Sequence, residues 1–86
     1  MLTKVKLAYY REKEWNRFLE LIDDRESQYE NWEDWHKAFL KTKMELILQG
    51  SHVVDFIVDI DKLQNFCNER GIKNNGKTRS EFTAQG

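Results

Sequence analysis

Residues Gly71-Ile72-Lys73-Asn74-Asn75-Gly76-Lys77-Thr78 match, letter for letter, the pattern G-x-x-x-x-G-K-[ST] that cradles nucleotide phosphates. The chemistry needs more than the letters. A strand must deliver the loop, and a full helix must follow so that backbone amides and the helix dipole wrap the phosphate. Here a helical pattern precedes the loop and only residues 79–86 follow Thr78, which leaves no room for a parallel sheet carrying a magnesium-binding aspartate. A helix stop at Gly71, a turn at Asn74-Asn75-Gly76 and a cap at Thr78 account for the same residues. What survives is a positive cluster of Arg70, Lys73, Lys77 and Arg79 beside a helix start, suited to an anion or a nucleic-acid phosphate. A solvated basic face is the simpler account.

Other chemistries find less support. Glu12, Glu14, Glu20, Asp23, Asp24, Glu26, Glu30, Glu33 and Asp34 make residues 12–34 strongly acidic, so any nucleic-acid contact is confined to the carboxyl-terminal end. His36, His52 and Cys67 lack the closely spaced ligand pairs of structural zinc sites. Asp55, Asp59 and Asp61 are explained by alternate strand faces and a helix cap. His36 lies beside a tryptophan stripe and reads as a packing histidine, and Cys67 on an apolar face reads as a small core hydrophobe. No Ser, His and Asp set has spacing that suggests a triad. No catalytic residues, metal or cofactor are expected, and the chain is not read as an enzyme.

The aromatics are the stronger signal. Trp15, Trp32 and Trp35 fall at helical spacing and read as core, but three tryptophans and three tyrosines exceed what a small core can cover. The overflow is expected on the surface, where exposed aromatic patches mark interfaces.

These side chains must be positioned by a few elements. Asn31 to Gln49 reads as a long helix with Trp32, Trp35, Phe39, Leu46 and Ile47 on one side, and Glu33, Lys37, Lys41 and Glu45 opposite. It is expected to organise the chain, with Gly50 as its stop. An earlier helix buries Trp15, Phe18, Leu19 and Ile22 and ends near Asp23 or Asp24. The polar connector 24–30 offers two starts for the long helix, Ser27 with Glu30 or Asn31 with Asp34. A short connector makes a helical hairpin with the tryptophans facing inward.

Residues 52–59 form the clearest strand, with Val54, Phe56 and Val58 on one face. Its partner is either the alternating segment Leu2 to Tyr10 or, if residues 3–9 are helical, a second copy of the strand across a dimer axis. A third helix starts at Asp59 to Asp61, with Asp61 and Gln64 in capping-box relation, buries Leu63, Phe66 and Cys67, and ends at Gly71. Thr78-Arg79-Ser80-Glu81 opens a last short helix anchored by Phe82, and residues 83–86 are expected to fray.

Eighty-six residues make one domain, which buries only roughly 60 to 65% of the surface its unfolded chain exposes. A hydrophobic content of 40% with 13% aromatics argues against disorder, although 34% of residues are charged. A net charge of −1 gives no overall pull toward nucleic acid or anionic membrane. A single cysteine and the lack of a long apolar run give the expectation of a cytoplasmic chain with no membrane partner.

The run Trp15-Asn16-Arg17-Phe18-Leu19, then Asp24 to Ser27, Tyr29, Trp32, Trp35, Val54 to Asp59, Phe66-Cys67, Gly71, Arg79 and Phe82 resembles a family of short uncharacterised bacterial proteins, a domain of unknown function. The resemblance spans nearly the whole chain and implies a stand-alone bacterial domain without implying an activity. Its polar positions are Asp24, Arg25, Ser27 and Arg79. A charged pair in a loop points to function, while an Asp–Arg pair tying the connector to the last helix explains the same residues structurally.

The sequence thus reads as an α+β, helix-rich domain, with a helical hairpin packed against a third helix and a small two-stranded sheet. The leading function is a non-enzymatic protein-interaction module, homodimeric or binding another protein, that works through exposed aromatics or a strand edge. The alternative is nucleic-acid or anion binding through the carboxyl-terminal basic cluster. Candidate binding residues are Arg25, His36, Arg70, Lys73, Lys77 and Arg79.

Overall fold

The computed structural model describes residues 3–86; Leu2, where the expected first strand begins, lies outside them. Its elements are β1 (Lys4–Tyr9), α1 (Trp15–Leu21), α2 (Trp32–Leu48), β2 (His52–Ile57), α3 (Ile60–Arg70) and α4 (Gly76–Gln85). One 3-10 turn at Glu12–Glu14 leads into α1 and another at Arg25–Ser27 lies in the connector. The helix-rich α+β reading holds.

Residues 4–9 are a strand, and β2 finds its partner inside the chain. The two strands run parallel, with Lys4 opposite His52 and Tyr9 opposite Ile57. Parallel neighbours cannot be joined by a tight turn, so α1, the acidic connector and α2 together form the crossover. Alternation then assigns the faces. Tyr9 meets Trp35 and Phe39 of α2 edge-on, with ring centroids 5.7 and 5.3 Å apart. Asp55, opposite Leu7, pairs with Lys43 of α2 at 3.1 Å. Phe56, opposite Ala8, packs instead against Phe82 of α4 at 6.2 Å, and Phe82 against Phe66 of α3 at 5.5 Å. Parallel sheets need cover on both faces, and here α2 lies on one and α3 with α4 on the other.

The innermost side chains are Phe18 from α1, Val58 just past β2, and Ile60, Leu63 and Cys67 from α3. The long helix is therefore not the organising element, since Phe39 is its only buried residue. Two strands about 4.8 Å apart make a sheet little wider than one helix, so α2 covers it with a single stripe and leaves the rest to solvent. The two helices of the expected hairpin meet through their indoles, Trp15 against Trp35 at 5.5 Å. Trp15 is buried, and its indole N–H has no acceptor among the described residues.

Local chemistry sets the ends. Asn31 caps α2, its side-chain oxygen accepting from the Asp34 amide at 2.9 Å; the Ser27 hydroxyl instead donates to Asp24. Asp59, rather than Asp61, caps α3, accepting from the amides of Asp61 and Lys62. Gly71 takes φ +63° at the end of α3, and the Ile72 amide reaches back to the Cys67 carbonyl at 3.1 Å, a Schellman ending. α1 stops at Leu21, short of the expected end near Asp23 or Asp24, because the Asp23 amide is taken by the carbonyl of Asn74 at 2.9 Å. α4 starts earlier than the Thr78 box predicts, since Asn75 accepts from the Thr78 amide at 3.1 Å and caps the helix from Gly76. α4 extends to Gln85, within the stretch where fraying is expected, and Thr83 is buried.

Candidate functional site

The site is an open groove of about 720 Å³ along the outer edge of β1. Its floor is Lys4, Lys6, Leu7, Ala8 and Tyr10; α2 supplies Trp35, Ala38, Phe39 and Thr42, and α4 supplies Gly76, Arg79, Ser80, Thr83 and Ala84. Because α2 and α4 lie on opposite faces of the sheet, a cavity touching both lies beyond the strand edge, between two helical walls. Gln28 and Tyr29 of the connector close its rim.

The backbone pairing leaves this edge of β1 open. The His52 amide donates to Thr3 O at 2.7 Å and the Val58 amide to Tyr9 O at 2.9 Å, so the odd residues of β1 turn their peptide groups toward β2. Successive residues of a strand alternate sides, which turns the N–H and C=O groups of Lys4, Lys6 and Ala8 into the groove. One outward group is already satisfied: the Trp32 indole donates to Tyr10 O at 2.8 Å and closes that end of the slot. The walls are mostly small side chains, which leaves room for an occupant's side chains on both faces. The lining residues include lysines and an arginine but no carboxylate.

Arg79 sits at the base of the groove, 6% exposed, and faces inward. Its guanidinium donates to Asp24 Oδ1 at 2.8 Å and Oδ2 at 2.7 Å, and also to the Asn74 carbonyl at 3.0 Å. The Phe18 ring lies 5.5 Å away. The Arg79 hydrogen bonds hold the Asp24 carboxyl below the usual carboxylate range, while its partial burial pulls the other way. Tyr10, between groove and core, has its phenol pushed up to about 12 by burial, with the charge of Arg79 opposing, so it stays neutral. Asn74 completes the network: its amide donates to Asp23 at 2.7 Å and its side chain to Gln64 at 3.2 Å.

The other sequence candidates do not join this site. His36 is half-buried and stacks on Trp32 at 4.4 Å; Arg25 is exposed on the connector; neither lines the groove. Arg70 lies over the Phe66 ring at 4.2 Å. Lys73 and Lys77 line a separate depression of about 370 Å³, together with Glu81. Arg79, bound to Asp24, is not part of that surface. The basic run is thus divided by the fold. Among the described residues no three His, Cys, Asp or Glu side chains cluster as metal ligands, and no helix is long and apolar enough to cross a membrane.

This chain matches no protein-family model, no curated protein and no solved structure. The functional reading therefore rests on the groove. Sequence periodicity placed Trp35 and Phe39 on α2 but offered no sign that Ala38, Thr42, Ser80 and Ala84 share a cavity, because small residues on exposed helix turns carry no periodic signal. Asn74 looked like a turn residue and is instead a fully buried hub.

Proposed function

We propose that this chain is a non-enzymatic interaction module that binds an extended segment of another protein by adding it as a strand to β1. The observation that carries the reading is the coincidence of outward-facing peptide groups at Lys4, Lys6 and Ala8 with a groove walled by α2 and α4. Main-chain hydrogen bonds supply affinity in such strand addition, and pockets for alternate side chains supply specificity. Charge points to the occupant. Pairing β1 with β1 of a second copy brings Lys4 and Lys6 against their equivalents, which is repulsive, whereas a segment carrying acidic side chains is attracted.

Selection from a displayed library of random peptides tests this. Enriched sequences should be free of proline at alternate positions and rich in Asp or Glu, and binding should protect the amides of Lys4, Lys6 and Ala8. Ser80→Trp, which fills the groove from α4, should abolish binding while leaving the melting temperature nearly unchanged. Selected peptides that bind the Ser80→Trp protein equally well, or shift other amides, overturn the proposal.

A further inference from the structure

On the face of α2 turned away from the sheet, Leu40, Met44 and Leu48 follow one another at four-residue steps and are 48, 56 and 78% exposed, with Ile47 beside them. Single exposed apolar side chains are ordinary; a continuous row along one helix is a seam. We propose that α2 pairs antiparallel with α2 of a second copy of this chain, about a two-fold axis near Met44.

Charge decides both the occupant and the direction. Lys41 and Glu45 are exposed, one turn apart, on the same flank of the seam. In an antiparallel helix pair each flank meets its own equivalent, so Lys41 of one copy faces Glu45 of the other. The two-fold axis repeats the pair, giving a self-complementary patch. In a parallel pair that flank would meet the opposite one, where Lys43 is already committed to Asp55. The seam lies clear of the groove: none of Leu40, Lys41, Met44, Glu45 or Leu48 lines it, so dimerisation and strand addition are separable.

A seam built on four apolar side chains per copy makes a reversible dimer, whose association depends on protein concentration. Sedimentation equilibrium of the full chain should show it. Met44→Asp should abolish association with an unchanged circular dichroism spectrum. Lys41→Glu and Glu45→Lys should each weaken association about three- to tenfold, and the double swap, complementary again, should restore it. A chain still monomeric at about 1 mM, a dimer indifferent to Met44→Asp, or a double swap no better than the single changes overturns the proposal. Because Ser80→Trp leaves this seam intact, failure of the groove reading leaves the dimer result unaffected.

Discussion

Arg79 and Asp24, 55 residues apart, grip each other at two points, with nitrogen–oxygen distances of 2.8 and 2.7 Å. The arginine side chain is 7% exposed and the aspartate 21%. Through this fork the last helix is fastened to the connector between α1 and α2, and the α4 wall of the groove is held in place. Arg79 is therefore a structural tie at the base of the groove.

Removing the tie should cost more than a surface ion pair. Arg79→Met leaves Asp24 without its partner and the Asn74 carbonyl short of a donor, and about 3 kcal/mol of stability should be lost. Arg79→Lys should recover only part, because an ammonium cannot donate to both carboxylate oxygens in the fork geometry. Urea unfolding followed by tryptophan fluorescence checks both; a loss under about 0.5 kcal/mol, the value of an exposed pair, contradicts the assignment.

The same pair sets an acid dependence. Asp24 titrates lower in the folded chain than in the unfolded one, because Arg79 hydrogen-bonds its ionised form. The unfolded state therefore takes up the proton first. The contribution is complete above the unfolded value of about 3.9 and disappears as pH falls through the lower folded value. In urea midpoints measured from pH 6 downward, Asp24→Asn should lose stability at neutral pH and show a shallower acid decline than the native chain. Parallel declines would remove Asp24 as the source.

Cys67 is 1% exposed, and burial pushes its thiol above the ordinary cysteine range. A thiol reagent should therefore label the native chain slowly, at a rate set by opening of the core, and quickly beyond the urea midpoint. Immediate labelling in buffer would place Cys67 at the surface.

Hydrogen exchange reads the strand edge directly. Amides of Val5, Leu7 and Tyr9 point to β2 and should exchange slowly, while those of Lys4, Lys6 and Ala8 point into the groove and should exchange fast until a peptide binds. Uniform protection along β1 in the free chain would mean that its outer edge is already covered.

Much of the architecture is written in local pattern. The spacing of Trp15, Phe18, Leu19 and Ile22, the alternation of Val54, Phe56 and Val58, and the left-handed requirement at Gly71 each depend on residues a turn or two apart, and each reappears in the fold. Even the tie between connector and last helix was legible as an Asp–Arg possibility. Cap choice was less so, because neighbouring Asn, Asp, Ser and Thr compete for the same amides, and tertiary contacts such as Asn74 on Asp23 break the tie.

What the tertiary structure alone decided is the site. Whether residues 4–9 pair in parallel with β2, which strand edge stays open, and that α2 and α4 flank that edge from opposite faces all follow from contacts between residues far apart in the chain. Likewise the sequence offers Arg79 both as a member of the basic run and as a partner for Asp24, and only the fold decides between them by turning it inward to Asp24. Periodicity records which side of an element avoids water; it carries no record of which other element provides the shelter, or of the space left between them.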